Sequence, residues 1–134
     1  MRRATVCIID DDASVQRALR RLLQAAGYDV LTCGSAEEFL ALADLPRPFC
    51  LVVDVRMRGM TGIDLQDVLR NSSREVPIVF MSGHADAATV ARATASGARF
   101  LAKPFEVDAL LDALQHAFAD DRRGDNAQSH RYGE

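Results

Sequence analysis

The chain has 134 residues, 49% of them apolar and 26% charged, with a formal net charge of −3. That is one domain with enough apolar mass for its own core, and it excludes a disordered chain or a nucleic-acid binder driven by basic charge. The N-terminal apolar stretch, residues 6–9, runs straight into three aspartates, which excludes a secretory signal or a membrane span there.

Short apolar runs then alternate with helical periods. Residues 5–9 (TVCII) predict a first strand. Over 13–26, Val15, Ala18, Leu19, Leu22, Leu23 and Ala26 share one helical face, and Gly27 stops the helix. Residues 28–33 predict a second strand. Ser35 and Glu38 form a capping box for a helix over 36–43, after which Pro46 and Pro48 break the chain. Residues 49–53, nearly all apolar, predict a third strand. Gly59 and Gly62 mark a loop before a helix over 63–71. A fourth strand falls at 77–81, an alanine-rich helix at 85–96 ending at Gly97, and a short fifth strand at 100–102. The last helix, 106–119, lines up Val107, Leu110, Leu111, Leu114 and Phe118. The folded domain is therefore expected over 1–119. Residues 120–134 carry almost nothing apolar and are expected to form a polar, disordered tail.

Strands alternating with helices, two of the strands apolar throughout, predict an α/β fold. Its natural form is a doubly wound, five-stranded parallel sheet with helices on both faces. Three cysteines, Cys7, Cys33 and Cys50, lie in apolar stretches without a pairing pattern. An odd number of such cysteines fits a reducing cytoplasm.

Ligands of such sheets bind outside the carboxyl ends of the strands. There the sequence places Asp10, Asp11 and Asp12 after the first strand, Asp54 after the third, Ser82 after the fourth and Lys103 after the fifth. Lys103 is the one lysine among 16 basic residues. Taken singly these have ordinary readings: Asp12 as a helix cap, Ser82 as a turn residue, Lys103 as a solvated surface cation. Together they make a carboxylate pocket beside a hydroxyl and an ammonium. Two carboxylates about 5 Å apart repel by about 3 kcal/mol at an effective dielectric of 20. Either one stays protonated or a cation sits between them. All-oxygen donors suit a hard cation, Mg²⁺ first, then Mn²⁺ or Ca²⁺. Such an ion takes phosphate, and lysine and serine suit the same phosphate. The chemistry implied is metal-assisted phosphoryl transfer with Asp54 as a carboxylate nucleophile.

The segments IIDDD (8–12), LVVDVRM (51–57), GMTG (59–62), IVFMSGH (78–84) and AKPF (102–105) resemble the receiver domain of two-component response regulators. The resemblance covers residues 4–119 and is strongest to the FixJ-type subfamily of this CheY-like superfamily. It implies a flavodoxin-like (βα)5 fold with strand order 2-1-3-4-5. It implies that Asp54 accepts a phosphoryl group from a sensor histidine kinase or a histidine phosphotransfer protein. Mg²⁺ would be held by Asp11 directly, by Asp10 directly or through water, by Asp54 and by the backbone carbonyl of Arg56. Lys103 would pair with phosphoryl oxygens, and Ser82 would bond another oxygen once the phosphoryl is present. Phe100 matches the aromatic switch position. Arg56 and His84 occupy positions that tune phosphoryl lifetime in this family.

The implied output is a changed partner-binding face built from 85–119, with a phosphorylation-dependent dimer among its forms. No enzymatic turnover of an external substrate, no membrane and no direct nucleic-acid contact are expected. Two departures stand out: Arg58 where the family usually has proline, and a link into the fifth strand that is one residue short. A haloacid-dehalogenase-like phosphatase would need a second aspartate where Arg56 stands. A dinucleotide site would need a glycine-rich loop where the three aspartates stand. Two alternatives remain within the fold: a receiver fragment of a FixJ- or NarL-type DNA-binding transcription factor, and a binding module that works without phosphorylation. Nothing after residue 119 resembles a helix-turn-helix.

Overall fold

A computed structural model of the chain describes residues 3–42, 45, 49–72, 74–84 and 86–132, with side chains described as far as residue 120. Five strands, β1 (Thr5–Ile9), β2 (Asp29–Cys33), β3 (Phe49–Asp54), β4 (Ile78–Ser82) and β5 (Arg99–Ala102), form one parallel sheet in the order β2-β1-β3-β4-β5. The helices are α1 (Ala13–Ala25), α2 (Ala36–Leu40), α3 (Gly62–Asn71), α4 (Ala87–Thr94) and α5 (Val107–Tyr132). The expected fold class and strand order are both present.

Strand side chains alternate between two apolar layers, as the period of two requires. Val6, Ile8, Cys50, Val52, Val79 and Met81 pack with Leu19 and Leu23 of α1 and with Leu110, Leu114 and Phe118 of α5. Cys7, Ile9, Leu51, Val53, Ile78 and Phe80 pack with Phe39 of α2, Ile63, Leu65 and Leu69 of α3 and Ala93 of α4. β1, β3 and β4 are buried along their whole length, which is why they read as continuous apolar runs. Among the described residues every buried side-chain polar atom has a hydrogen-bond partner. No described helix is long and apolar enough to cross a membrane.

Local chemistry sets the ends of the helices. Asp12 caps α1, its carboxylate accepting from the Ser14 and Val15 N–H groups. Ser35 caps α2 and Asp86 caps α4. Thr61 and Asp64 make a reciprocal capping box at α3, which the glycine pattern alone did not reveal. α3 begins at Gly62 because its first turn lies against β3: a Cβ there would come within 2.8 Å of the Asp54 carbonyl oxygen and 2.9 Å of Val53 Cγ1.

Several boundaries differ from expectation. α2 stops at Leu40 rather than at 43, and position 43, with Pro46 and Pro48, lies outside the described residues. α4 spans Ala87–Thr94 rather than 85–96, and position 85 is likewise outside them. The last helix, expected over 106–119, is longer than expected. The backbone of α5 stays helical to Tyr132. The apolar period that marks a packed helix does stop at Phe118. Beyond it no proline interrupts the backbone, and helix formers (Arg122, Arg123, Ala127, Gln128, Arg131) alternate with weak ones (Asp121, Gly124, Asp125, Asn126, Ser129).

Candidate functional site

The carboxyl ends of β1, β3, β4 and β5 bring together the groups singled out from the sequence. Asp10 follows β1 and is fully buried, and Asp54 ends β3 at 9% exposure. Each offers one oxygen to a backbone N–H and the other to Lys103. Asp10 Oδ1 accepts from the Asp12 N–H at 2.8 Å and Asp54 Oδ1 from the Arg56 N–H at 2.9 Å. Lys103 Nζ donates to Asp10 Oδ2 and to Asp54 Oδ2, both at 3.2 Å. Lys103 reaches them because its own N–H continues the sheet ladder, donating to the Ser82 carbonyl at 2.8 Å. The Lys103–Pro104 peptide just beyond is cis, which the sequence did not disclose.

Asp11 is exposed at the rim, and its Oδ2 accepts from the Arg58 N–H at 3.2 Å. Asp12 faces away as the cap of α1, as expected of it. Carboxylate oxygens of Asp10, Asp11 and Asp54 all lie within 4.8 Å of one another. Two oxygens on opposite sides of one Mg²⁺ lie about 4.1 Å apart. Adjacent ones lie about 2.9 Å apart, so three donors close round one ion by a contraction of up to ~2 Å or with an intervening water, which suits a hard divalent cation. The donor set holds no sulfur or imidazole, which agrees with that choice.

Electrostatics follow from burial. Loss of solvent raises the pKa of Asp10 above the usual carboxylate value, against the opposing pull of the Asp12 N–H and the Lys103 ammonium. Burial alone would lower that of Lys103, but Asp10 and Asp54 beside it outweigh this and hold the ammonium charged. One ammonium thus faces three carboxylates, a pocket that still attracts positive charge.

Ser82 ends β4 at 1% exposure, and its hydroxyl is engaged with its own loop. Ser82 Oγ accepts from the His84 N–H at 3.1 Å and donates to the His84 carbonyl at 3.3 Å. Phe80 pairs with Phe100 and Ser82 with Ala102 across β4 and β5. Alternation then puts the Ser82 and Phe100 side chains on the same sheet face, diagonal neighbours. Phe100 is half-buried against the α2–α4 layer. In the short link before β5, Gly97 takes φ +89°, and β5 starts at Arg99. Arg56 and His84 are exposed beside the site.

Sequence reasoning missed two supporting groups. Gln16, one turn into α1, donates its amide to the Asp10 carbonyl at 2.6 Å and to the Cys33 carbonyl at 3.4 Å, tying β1 to β2 under the aspartates. No spacing signal marks it. The Arg58 N–H on Asp11 was equally invisible, since backbone donors carry no residue type.

The family described as response regulator receiver domain matches residues 6–115. Nodulation protein W of Bradyrhizobium diazoefficiens is 39% identical over 127 residues, 94% of this chain and 56% of that protein. The solved structure of the response regulator StyR is 42% identical, with a TM-score of 0.84, over 96% of this chain and 67% of that one. The crystal structure of FixJ-N is 35% identical, with a TM-score of 0.81, over 89% of this chain and 96% of that one. The chain spans about half the length of the curated relatives it matches.

Proposed function

The chain belongs to the response regulator receiver domain family, and on that premise we propose that it is a signalling phosphoacceptor whose Asp54 takes a phosphoryl group from a phosphohistidine. The observation that carries this is the setting of Asp54. Its carboxylate ends a buried strand, is oriented by the Arg56 N–H at 2.9 Å and lies 3.2 Å from the Lys103 ammonium. Two further carboxylates stand within 4.8 Å.

The donor is a sensor histidine kinase or a histidine phosphotransfer protein. An Asp54 oxygen attacks phosphorus, an O–P bond forms and the N–P bond breaks. Its electron pair stays on the imidazole nitrogen, which takes a proton from solvent. The Arg56 N–H keeps the carboxylate in one orientation for in-line attack. Lys103 stands ready for the phosphoryl oxygens as their charge arrives. Asp10, Asp11, Asp54 and the Arg56 carbonyl are the groups that would hold Mg²⁺, which supplies charge stabilisation to the transferring oxygens. Mn²⁺ fits the same donors. Water attack on the acyl phosphate later returns the carboxylate and releases phosphate. Arg56 and His84, exposed at the rim, govern that water's access and so the phosphoryl lifetime.

Phosphorylation adds about −1.5 to −2 charge and three acceptor oxygens. Ser82 then has a stronger acceptor than the His84 carbonyl, its loop follows, and Phe100 turns inward into the space released. The output face is α4, β5 and α5, within residues 85–119, and its partner is another protein, a second copy in a phosphorylation-dependent dimer included. The chain works in the cytoplasm, without direct contact to nucleic acid or membrane.

The test is intact mass after incubation with a small acyl phosphate, with Mg²⁺ or with EDTA, for wild type and Asp54→Asn. One phosphoryl group gained only with metal, and absent from the variant, is expected. An adduct of equal yield on Asp54→Asn would overturn the assignment.

A further inference from the structure

At the end of the sheet opposite the aspartate pocket, a cleft of about 490 Å³ runs beneath the first residues of β4 and β5, Ile78 and Arg99. It reaches from Leu69 and Arg70 of α3, on one face of the sheet, to Ala117 and Asp120 of α5, on the other. That volume falls in the range of small-ligand sites. Leu69, Val76, Pro77, Ile78 and Ala117 make its lining partly apolar. Three guanidiniums, of Arg70, Arg74 and Arg99, line it against two carboxylates, of Glu75 and Asp120. The cleft thus carries an excess of positive charge in a chain whose formal net charge is −3. Arg70 and Arg99 are exposed, and among the described residues neither guanidinium has an ion-pair or hydrogen-bond partner.

A buried amide adds a donor to the same cleft. Gln66 of α3 is 5% exposed, and its Nε2 donates to Ser96 Oγ at 2.6 Å, joining α3 to the link between α4 and β5. Both residues line the cleft. The bond uses the Ser96 hydroxyl as an acceptor. Its own O–H has no acceptor among the described residues and is left to donate. We propose that this cleft binds a small organic monocarboxylate with an apolar body. Guanidiniums suit a carboxylate through paired, charge-assisted hydrogen bonds, and the Ser96 O–H supplies a further donor. The apolar lining takes the body of the ligand. Glu75 and Asp120 hold the excess to one positive charge, which matches a monoanion rather than a doubly charged phosphate. The cleft shares no residue with the aspartate trio, so the proposal stands apart from the chemistry of Asp54. Its ligand would touch the link that leads into β5 and Phe100.

The test is an amide NMR titration of the full chain in EDTA with naphthoate, beside naphthylmethanol as the neutral analogue. Saturable shifts at Ser96, Gly97, Ala98 and Arg99 are expected with the acid, at a Kd of about 1 mM, ordinary for so small a ligand. The alcohol should bind about fivefold more weakly or worse. Arg70→Gln and Arg99→Gln change exposed side chains, so both variants should keep the wild-type spectrum elsewhere, and each should weaken naphthoate about fivefold. No saturable shift, equal binding of the alcohol, or unchanged affinity in both variants would overturn the proposal. So would shifts centred on Asp54 and Lys103, which would place the acid in the aspartate pocket instead. Inorganic phosphate binding the cleft more tightly than naphthoate would overturn the monocarboxylate class.

Discussion

Helices α5 and α4 cover opposite faces of the same sheet edge, yet they are anchored to very different degrees. α5 buries Leu110, Ala113, Leu114, Ala117 and Phe118, and Phe118 stacks on Tyr28 with ring centroids 5.8 Å apart. α4 buries Ala93 alone. At about 2 kcal/mol for each large apolar side chain taken from water, α5 is fixed by several such contributions and α4 by less than one. The site straddles this divide. Asp54 and Lys103 belong to the firm side: Asp54 pairs with Met81 of the α1–α5 layer, and Lys103 follows β5 two residues after Leu101, which packs against that same layer. Ser82 and Phe100 lie on the α4 side, with Phe100 packed against that layer. Charge arriving at a rigid frame can therefore be answered by movement of a lightly held edge.

The most severe way to test the contrast is to cut into each helix. Leu114→Ala should lower stability by about 3 kcal/mol, as a buried leucine in a layer that cannot easily collapse. The half-buried Val90 of α4, truncated to alanine, should cost less than about 1 kcal/mol. Urea denaturation reads both, and comparable losses would break the contrast.

Lys103→Met sharpens the role of the firm side. It leaves Asp10 and Asp54 without their shared ammonium, and Lys103 is itself only partly buried, its side chain 26% exposed. A loss of about 2 kcal/mol in EDTA is expected, below the range for fully buried pairs. Mg²⁺ should restore more stability to this variant than it adds to wild type, because the cation then answers a larger charge deficit. Equal Mg²⁺ effects would show that Lys103 does not relieve the carboxylates.

Asp12→Ala gives the smallest effect and separates cap from site. It should cost about 1 kcal/mol through α1 and leave the yield of Asp54 phosphorylation unchanged. A loss of phosphorylation at undiminished stability would place Asp12 in the site rather than at the helix end.

The frame was more legible in the sequence than the lightly held edge was. Continuous apolar strands and a leucine face on α5 announce burial, and aspartates at strand ends announce a cation pocket. The edge carries weaker signals: α4 is alanine-rich without a dominant apolar face, and its ends fell inside the expected 85–96. Phe100 is proposed as a switch position only through resemblance, since a half-buried aromatic on an edge strand has no signature of its own. The α5 extension beyond 119 escaped because no apolar period marks it. Gln16 and the Arg58 N–H escaped because support of a site by a lone amide or a backbone donor leaves no periodic mark.

The most direct test of the account is an amide and side-chain NMR titration with beryllium fluoride in the presence of Mg²⁺, using the adduct as a stable mimic of phosphorylated Asp54. The account predicts shifts at Ser82, at Phe100 and along Ala87–Thr94. Leu19, Leu23, Leu110 and Leu114 in the opposite layer should stay nearly fixed. Shifts confined to the immediate neighbours of Asp54, with Ser82 and Phe100 unmoved, would contradict it and leave only a binding module.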